Sequence, residues 1–414
     1  MTRDERQDLS VKKWIQNKCK GTVVASTGFG KTRVAIKAIN KILKQKPLYK
    51  ILVVVPTLGL QEQWITILDK SGFSLNAQVV VINTASTHLY ECDLLIEDEC
   101  HRFSSNTFKN IFNTVKYKYV LGLTATFERL DGKHAIMAMY CPVIDEVTTR
   151  ECMLNGWIAP YKEYHVILDA PDIEEYKKMN REFVKHFEFF DFSWDVVQNC
   201  CGPKGMAFRY KLAKEMAPYG NREKQLKLIT NHAVQTMHLV QQRKAFINNH
   251  PKKIQVAQKI IEARPDCKII TFSNNIKTAE SIGGGYVYTG KESKKKCRIT
   301  LEEFKAMERG VLHTVKKADT GLDIPGLSVA IMLGIDSSRI RAIQSRGRVV
   351  RKEGDKIAEI FVLTIDGTVE QKWFAKSRAN DNVITIDEYG LNAVLRHEEP
   401  KEFMRNTSNF SYRF

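Results

Sequence analysis

The stretch Ala25-Ser26-Thr27-Gly28-Phe29-Gly30-Lys31-Thr32 decides the fold of the segment around it. The run Thr22-Val23-Val24 precedes it and the amphipathic pattern 31–44 follows it, so the sequence predicts a strand, a glycine loop and a helix. The glycines allow backbone N–H groups to wrap around phosphate oxygens at a helix N-terminus. Lys31 is then expected to reach the β and γ phosphates of a nucleotide, and the Thr32 hydroxyl to hold Mg²⁺. The alternative is a plain turn of the same composition.

Short apolar runs recur on both sides of this loop and alternate with helical patterns. We expect buried strands at 21–26, 51–56, 78–83, 93–97 and 119–124, and a second series at 267–273, 285–288, 310–314, 328–333 and 357–364. Strands that are apolar throughout are typical of parallel sheets covered by helices on both faces. The sequence therefore predicts an α/β protein with two sheet domains in tandem.

The length of the chain, 414 residues, also favours two domains, because a single core rarely grows beyond about 250–300 residues. Between the two strand series the sequence is helix-patterned and rich in charged and aromatic residues, which predicts a helical insertion. The expected segments are a first domain at 1–160, a linker and insertion at 161–250, a second domain at 251–378 and a loosely held tail at 379–414. The insertion's aromatic residues either stack on a ligand or close the insertion's own small core.

A second candidate site follows the apolar run Leu94-Leu95-Ile96, which ends in Glu97-Asp98-Glu99. Asp98, at the end of the predicted strand, is expected to hold the metal ion through water. Glu99 is expected to polarise the attacking water as a general base. A solvated Asp-Glu pair at a strand end is the alternative, but the position after a phosphate loop favours the catalytic interpretation.

Several guanidinium groups share one predicted helix in the second half, at Gln344-Ser345-Arg346-Gly347-Arg348-Val349-Val350-Arg351. Arg348 and Arg351 are three residues apart and therefore lie on one helix face, from which both could point at a γ-phosphate as arginine fingers. Taken alone, such a face is usually solvated or contacts nucleic-acid phosphates. Only the combination with the phosphate loop and the acidic pair makes the catalytic interpretation specific.

The composition favours a polyanionic partner. Lys and Arg number 64 against 47 Asp and Glu, which gives a net charge of +17 and a pI of about 9.3. Binding to phosphates releases counterions, so nucleic acid is the leading candidate, and a generally Lys-rich proteome is the alternative.

Nine cysteines without a C-x-x-C pair argue against a zinc ribbon or a disulfide framework. No apolar run reaches the roughly 18 residues of a membrane span, so we expect a cytoplasmic protein with no membrane partner.

These motifs, in this order, resemble those of the superfamily 2 helicases, and within them the group of the XPB and UvsW helicases. The resemblance extends from about residue 6 to about residue 368. The corresponding segments are 25–32 (motif I), 55–57 with 63–64 (Ia), 98–101 (II), 123–126 (III), 269–273 (IV), 317–325 (V) and 344–351 (VI). The run Thr124-Ala125-Thr126-Phe127-Glu128-Arg129-Leu130-Asp131-Gly132-Lys133 is similar to one in XPB-type helicases that helps to open duplex DNA, and Leu130 departs from that pattern.

The resemblance implies two RecA-like domains, with the insertion in the place of a DNA-gripping thumb, and it implies ATP and Mg²⁺ as cofactors. It assigns adenine recognition to Gln7, ribose contact to Asp323 and coupling of the domains across the nucleotide to His101 and Gln344. The remaining nucleotide contacts are Ser26, Thr27, Gly28, Phe29, Gly30, Lys31, Thr32 and Asp98. The nucleic-acid contacts that it implies are Thr57, Thr84, Arg129, Asp131, Thr289, Gly290, Thr320 and Gly321.

The expected activity is therefore ATP-driven movement on DNA, in the 3′ to 5′ direction, with unwinding or remodelling of branched structures. Single-stranded, forked or branched DNA is the expected partner, and RNA is the alternative. Two rivals are an RNA-directed or duplex-translocating ATPase that never separates strands, and a non-enzymatic DNA-binding subunit, against which Lys31, Glu99 and Arg351 argue. Because motif I begins at residue 25, targeting is expected to come from the insertion, the tail or a protein partner.

Overall fold

The structure is a computed structural model, and it describes residues 1–26, 28–101, 110–125, 134–158, 160–315, 324–334, 357–377, 383–401 and 403. Several of the predicted site residues lie outside these ranges, namely Thr27, Arg129, Asp131, Thr320, Gly321, Asp323, Gln344, Arg348 and Arg351.

The first half of the chain forms a six-stranded parallel sheet. The strands described in this half are β1 (Lys20–Ala25), β2 (Ile51–Val55), β3 (Ala77–Val81), β4 (Tyr90–Glu91), β5 (Leu94–Asp98), β6 (Val115–Lys116), β7 (Tyr119–Thr124) and β8 (Val143–Val147). The sheet has the order β3-β2-β5-β7-β1-β8, and β4 pairs separately with β6. All five strands that the sequence predicted for this half are present, while β8 was not predicted.

Helices cover both faces of this sheet. They are α1 (Arg3–Gln16), α2 (Lys31–Gln45), α3 (Leu58–Lys70), α4 (Ile82–Ala85), α5 (Ile111–Thr114), α6 (His134–Tyr140) and α7 (Thr149–Leu154). The core on one face is built with residues of α1, α2, α3 and α7, including the fully buried Trp14 and Trp64. The core on the other face is built with residues of α4, α5 and α6. Burial on both faces explains why β2 reads as an uninterrupted apolar run.

The second sheet is also parallel and contains seven strands within the described residues. They are β9 (Tyr161–Leu168), β10 (Lys268–Ser273), β11 (Tyr286–Thr289), β12 (Gly310–Val315), β13 (Leu327–Met332), β14 (Ala358–Ile365) and β15 (Ile384–Ile386). Their order is β11-β12-β10-β13-β14-β9-β15. The five strands expected from the second series are all present.

Four helices are inserted between β9 and the rest of the second sheet. They are α8 (Ile173–Glu188), α9 (Trp194–Cys201), α10 (Gly205–Met216) and α11 (Arg222–Asn249). They close a small core of their own around Phe190, Val197 and Ile229, against which Phe187, Phe189 and Trp194 are partly buried. Most of the insertion's aromatic residues therefore serve its own core, which is the second of the two interpretations offered by the sequence.

The remaining helices flank the second sheet. They are α12 (Pro251–Glu262), α13 (Ile276–Ile282), α14 (Lys294–Ala306), α15 (Val369–Ser377) and α16 (Glu388–Leu395). Residues of α12, α13 and α16 pack on one face, and residues of α14 and α15 on the other. Within the described ranges, no helix is both long and apolar enough to cross a lipid bilayer.

The structure differs from the expected segments in two places. Strand β9 pairs with both β14 and β15, so the second sheet starts at Tyr161, inside the segment 161–250 that was expected to be linker and insertion. In the expected tail, 379–414, the side chains of Ile386, Leu391 and Val394 are buried in the second core. Strands β9 and β15 were not predicted. Strand β9 begins with the polar run Tyr161-Lys162-Glu163, and β15 is only three residues long.

Candidate nucleotide-binding site

Three neighbouring strands of the first sheet bring the candidate residues to one edge. Strand β7 lies between β1 and β5, and all three run parallel. Their carboxyl ends therefore meet. The phosphate loop follows β1, Thr124 ends β7 and Asp98 ends β5. In open parallel sheets, ligands bind at this edge. The structure thus brings together the two motifs that the sequence placed about seventy residues apart.

The phosphate loop has the backbone conformation that its glycines permit. Gly28 and Gly30 have φ angles of 85° and 94°, in the left-handed region, and Gly30 caps the N-terminus of α2. Lys31 and Thr32 open this helix, so their side chains and the first free N–H groups lie at its positive end. The Lys31 ammonium donates a hydrogen bond to the Ala25 carbonyl oxygen at 3.1 Å. The described part of the loop, from Gly28 onward, therefore leads into a helix N-terminus that suits an anion.

The side chains of two loop residues fix the loop to the domain. Phe29 is fully buried, and its ring centroid lies 5.8 Å from that of Trp157, so only its backbone is available to a nucleotide. The hydroxyl groups of Ser26 and Thr149 are 3.0 Å apart, which ties the start of the loop to α7. These contacts explain why a large apolar residue stands between the two glycines.

Helix α1 holds the loop from the other side. The Gln7 amide is almost completely buried and donates a hydrogen bond to the Phe29 carbonyl at 2.7 Å. Arg3 donates to the Gly28 carbonyl at 3.0 Å. The residue expected to read adenine thus lies directly against the phosphate loop, and a side chain at Gly30 would approach the Gln7 amide nitrogen to 2.7 Å.

An ion-pair network that the sequence did not reveal anchors α1. The Arg6 guanidinium binds the Asp145 carboxylate at 2.6 Å and the Glu151 carboxylate at 2.7 Å, and Lys13 pairs with Asp145 at 2.5 Å. Burial alone would raise the pKa of Asp145, but the hydrogen bonds from Arg6, Lys13 and Ser10 outweigh it and lower that pKa. No sequence signal could have found this contact, because it spans more than a hundred residues of chain.

The acidic pair at the end of β5 is held in a defined orientation. Asp98 is 7% exposed, and its Oδ2 accepts a hydrogen bond from the Trp64 indole N–H at 2.9 Å. Glu99 has a φ of 54°, a left-handed conformation that is uncommon for a residue with a side chain. Its Oε2 is buried and accepts no hydrogen bond within the described residues. A buried carboxylate oxygen without a donor fits a water or a metal-bound ligand at this position.

His101 links the acidic pair to the neighbouring strand. Its Nδ1 lies 3.0 Å from the Thr124 hydroxyl and 3.4 Å from Glu99 Oε2. The histidine therefore lies at the edge that carries the phosphate loop; its coupling of the domains across the nucleotide, which the resemblance implies, stays a prediction.

A third carboxyl group lies close to this pair but differs from it chemically. Glu97 is fully buried, and neither of its oxygens has a hydrogen-bond partner among the described residues. Burial raises the pKa of Glu97 to about 8. The group is therefore mainly protonated at neutral pH. From the sequence, Glu97 could not be distinguished from the neighbouring Asp98 and Glu99, because the burial of a side chain cannot be read from one residue.

The described nucleic-acid candidates also lie after strands. Thr57 follows β2 and its hydroxyl caps α3, accepting from the Leu60 N–H, while Thr84 is half-buried in α4. In the second domain, Thr289 ends β11 and Gly290 follows it, at the rim of an open cleft. The arginines of the predicted motif VI lie outside the described residues, so their distance to the phosphate loop is not part of this geometry.

Family models match both halves of the chain. The model described as Helicase conserved C-terminal domain matches residues 252–353. The model described as Type III restriction enzyme, res subunit, matches residues 2–88 and 70–129.

Known proteins with similar sequence or fold are also helicases or translocases by name. The DNA 3′-5′ translocase XPB2 of Sulfurisphaera tokodaii is 27% identical over 392 residues, covering 90% of this chain and 83% of the relative. A protein of Acanthamoeba polyphaga mimivirus, provisionally named an ATP-dependent RNA helicase, is 23% identical and covers 92% of this chain and 67% of the relative. The solved helicase domain of Pyrococcus furiosus Hef matches with a TM-score of 0.51 at 20% identity, covering 90% of this chain and 98% of that domain.

Two parallel sheets flanked by helices, with a phosphate loop and an acidic pair at the same edge of the first, define a class of ATP-hydrolysing enzymes built from two RecA-like domains. The sequence matches narrow this class further. The chain belongs to the superfamily 2 helicases of the DEAD/DEAH type and is XPB-like. The resemblance noted from the motifs alone is thereby confirmed, and so is the expectation of a helicase enzyme that hydrolyses ATP.

Proposed function

We propose that this helicase couples ATP hydrolysis to movement along DNA in the 3′ to 5′ direction, and that it unwinds or remodels forked and branched DNA. The observation that carries the proposal is the fixed orientation of Asp98 and Glu99 beside a preformed phosphate loop. The direction and the DNA preference are supported by the relative named a DNA 3′-5′ translocase, which is similar over most of both chains.

The residues present fit ATP with Mg²⁺. ATP supplies the phosphoanhydride bond whose cleavage drives the cycle, and Mg²⁺ neutralises its phosphate charge. The Lys31 ammonium exchanges its hydrogen bond with the Ala25 carbonyl for phosphate oxygens. Thr32 and Asp98 hold the metal ion, and the Trp64 N–H keeps the Asp98 carboxylate oriented. Glu99, whose Oε2 makes no hydrogen bond within the described residues and lies 3.4 Å from His101 Nδ1, accepts the proton of the attacking water.

The second domain completes the cycle in this proposal. Arg348 and Arg351 stabilise charge on the transferred phosphoryl group, while Gln344 and His101 report the nucleotide state between the domains. Asp323 contacts the ribose. Thr320, Gly321, Thr289 and Gly290 contact the nucleic-acid backbone, and the grip of the two domains alternates with the nucleotide state.

RNA is the second candidate substrate, and one observation favours it. The mimiviral relative, which is similar along 92% of this chain, carries the name of an RNA helicase. An ATPase that follows RNA, or that moves on duplex without separating strands, would use the same nucleotide site.

A panel of nucleic acids tests the proposal. ATP hydrolysis would be measured at one stated salt concentration, because phosphate contacts make affinity strongly salt-dependent. The panel holds single-stranded, forked, branched and duplex DNA together with matched RNA, and strand displacement is followed on forks with either a 3′ or a 5′ tail. We expect the strongest stimulation by forked or branched DNA, and displacement only from the fork with the 3′ tail. Stimulation by RNA alone, or hydrolysis without displacement of any strand, would contradict the proposal.

A further inference from the structure

The helical insertion is joined to the second sheet by two consecutive pairs of asparagine side chains. Asn248 and Asn249 are the last residues of α11, and Asn274 and Asn275 follow β10. The Asn274 amide donates to the Asn248 side-chain oxygen, and the Asn275 amide donates to that of Asn249. We name Asn274 and Asn275 the amide loop. Each of its side chains is thus held by one residue of the insertion.

The amide loop is also fixed on the side of the second sheet. The side-chain oxygen of Asn275 accepts a hydrogen bond from the Thr278 N–H at 2.8 Å and so caps α13. The Asn274 side chain lies directly over Gly334 and leaves no room for a side chain there. Gly334 is the last described residue before the segment 335–356, which contains the predicted arginine fingers. A shift of α11 would therefore be felt at α13 and at Gly334.

The end of α11 is firmly seated on the second domain. His250 Nε2 lies 2.8 Å from the Asp172 carboxylate at the start of α8. The Lys253 ammonium, fully buried, pairs with Glu370 at 2.6 Å and donates to the Leu333 carbonyl at 2.9 Å. Asp172 and His250 thus hold the two ends of the insertion together, and a buried pair that is costly to separate holds the adjoining start of α12 to the second sheet.

The amide loop lines an open cleft of about 650 Å³ at the carboxyl ends of β10, β11 and β12. Thr289 and Gly290 lie on its other side, and the exposed side chains of Lys277 and Lys291 add two positive charges. Ammonium groups, amides and backbone N–H groups at a strand edge are the donors that proteins use to bind a phosphodiester backbone. The shape of the cleft depends on where the amide loop lies.

We propose that Asn248 and Asn249 are positioning residues, through which the insertion sets the shape of this cleft for a phosphodiester strand. The ligand in this statement rests on the proposed function, whereas the coupling between α11 and the amide loop does not. Asn249 also lines the cleft itself, whereas Asn248 does not and acts through Asn274. Force on the insertion from bound nucleic acid reaches the cleft through the two amide pairs, so the insertion and the cleft grip together.

The coupling is tested first without any ligand. Asn248→Ala and Asn249→Ala are compared with Asn231→Ala, which removes an exposed asparagine from the same helix at a distance from the second sheet. Amide hydrogen exchange is followed in the full chain. We expect faster exchange at residues 274–278 in the first two variants and unchanged exchange there in the third. Unchanged exchange in all three would overturn the inference, whatever the protein's activity.

Binding of a single-stranded oligonucleotide tests the consequence. Loss of one amide hydrogen bond is expected to weaken binding about fivefold in Asn249→Ala, while the KM for ATP and the unstimulated ATPase rate stay at the wild-type values. A double variant with Asn275→Ala should bind no more weakly than Asn275→Ala alone, because both changes break one pair. Multiplied losses would show that each amide acts separately, which would overturn the inference. A wild-type protein that binds no oligonucleotide contradicts the proposed function instead, and the exchange experiment then still decides the coupling.

Discussion

Glu99 combines two properties that rarely occur together by chance. Its backbone is in the left-handed region, at a φ of 54°, and its buried Oε2 accepts no hydrogen bond among the described residues, with His101 Nδ1 3.4 Å away. Each property costs free energy, and strained residues of this kind collect at functional sites. In the proposed cycle, Glu99 is the base and the neighbouring Asp98 holds the metal ion.

Replacing this base separates hydrolysis from binding. In Glu99→Gln we expect the kcat for ATP hydrolysis to fall about 10²- to 10⁴-fold, because the amide cannot accept the proton of water. The KM for ATP should change little. The matched control is Glu62→Gln, an exposed glutamate on α3, which should keep the wild-type rate. Steady-state kinetics check both, and full hydrolysis in Glu99→Gln would remove Glu99 from its assigned role.

Gly30 is a second test at the scale of one residue. An alanine at this position must adopt a φ near 94°, and its methyl group would approach the Gln7 amide nitrogen to 2.7 Å. The left-handed backbone alone costs an alanine about 1–2 kcal/mol, so the variant loop should relax to another conformation. Because ATP binding must then restore the original one, Gly30→Ala should raise the KM for ATP about 5- to 30-fold. Gly59→Ala, at an open position in α3, should leave the KM unchanged and stabilise the helix slightly. An unchanged KM in Gly30→Ala would show that the loop tolerates another conformation.

The candidate site was predictable from sequence only where local pattern carries the chemistry. Lys31, Asp98 and Glu99 follow strands in a recognisable order, and the structure brings them to one sheet edge. Trp64 and Arg6 were not assigned their contacts, because the partners Asp98 and Asp145 are far away in the sequence. A single sequence does not show which distant side chains meet.

The strands, too, were predictable only where a local sequence pattern defines them. Strands such as β2 and β10, buried on both faces, read as apolar runs and were predicted close to their observed bounds. Strand β9 was missed although it is eight residues long, because its first half is polar and it stands beside a helical insertion. Its place in the sheet comes from pairing with β14, nearly two hundred residues further along the chain. Tertiary pairing, and not local pattern, defines such an element.

At the scale of elements, Asp145 decides whether α1 stays on the first domain. Asp145→Asn leaves the buried Arg6 without its main partner, and we expect the free energy of unfolding to fall by about 3–5 kcal/mol. Asp8→Asn is the control, since Asp8 is 61% exposed in its pair with Lys37 and should cost less than about 1 kcal/mol. Urea denaturation followed by circular dichroism measures both. Equal losses in the two variants would contradict the importance of the buried network.

The same carboxylate makes stability depend on pH. The pKa of Asp145 is lowered in the folded protein, so its stabilising contribution is present above the unfolded pKa of about 4 and is lost as the pH falls through the folded value. Wild-type protein should therefore lose stability on acidification more steeply than Asp145→Asn. Unfolding curves between about pH 2 and pH 6 check this, and parallel pH profiles would contradict it.

At the scale of the whole molecule, the last part of the chain completes the second domain. Ile386, Leu391 and Val394 are each at most 3% exposed within the second core. Burial of three such side chains contributes about 5–9 kcal/mol, which is comparable to the stability of a domain. Removal of residues 379–414 should therefore unfold the second domain. Removal of 404–414 alone should leave its melting temperature close to that of the full chain.

Calorimetry distinguishes the two truncations. The longer one should lose one unfolding transition, and the first domain should retain its own, because its core is separate. A second domain that melts normally without residues 379–414 would contradict the packing of β15 and α16.

The hydrogen bond from Trp64 to Asp98 gives this protein a built-in optical signal. The indole is buried, and its N–H points at the carboxylate that is proposed to hold Mg²⁺. Indole emission responds to the charge beside it, so the fluorescence of Trp64 should shift when the cation neutralises Asp98. Trp14, whose N–H donates to the Val120 carbonyl, is equally buried and should stay constant as an internal reference. Because the chain holds five tryptophans, loss of the response in Trp64→Phe would assign it to this indole, and the signal would then report Mg²⁺ binding at Asp98.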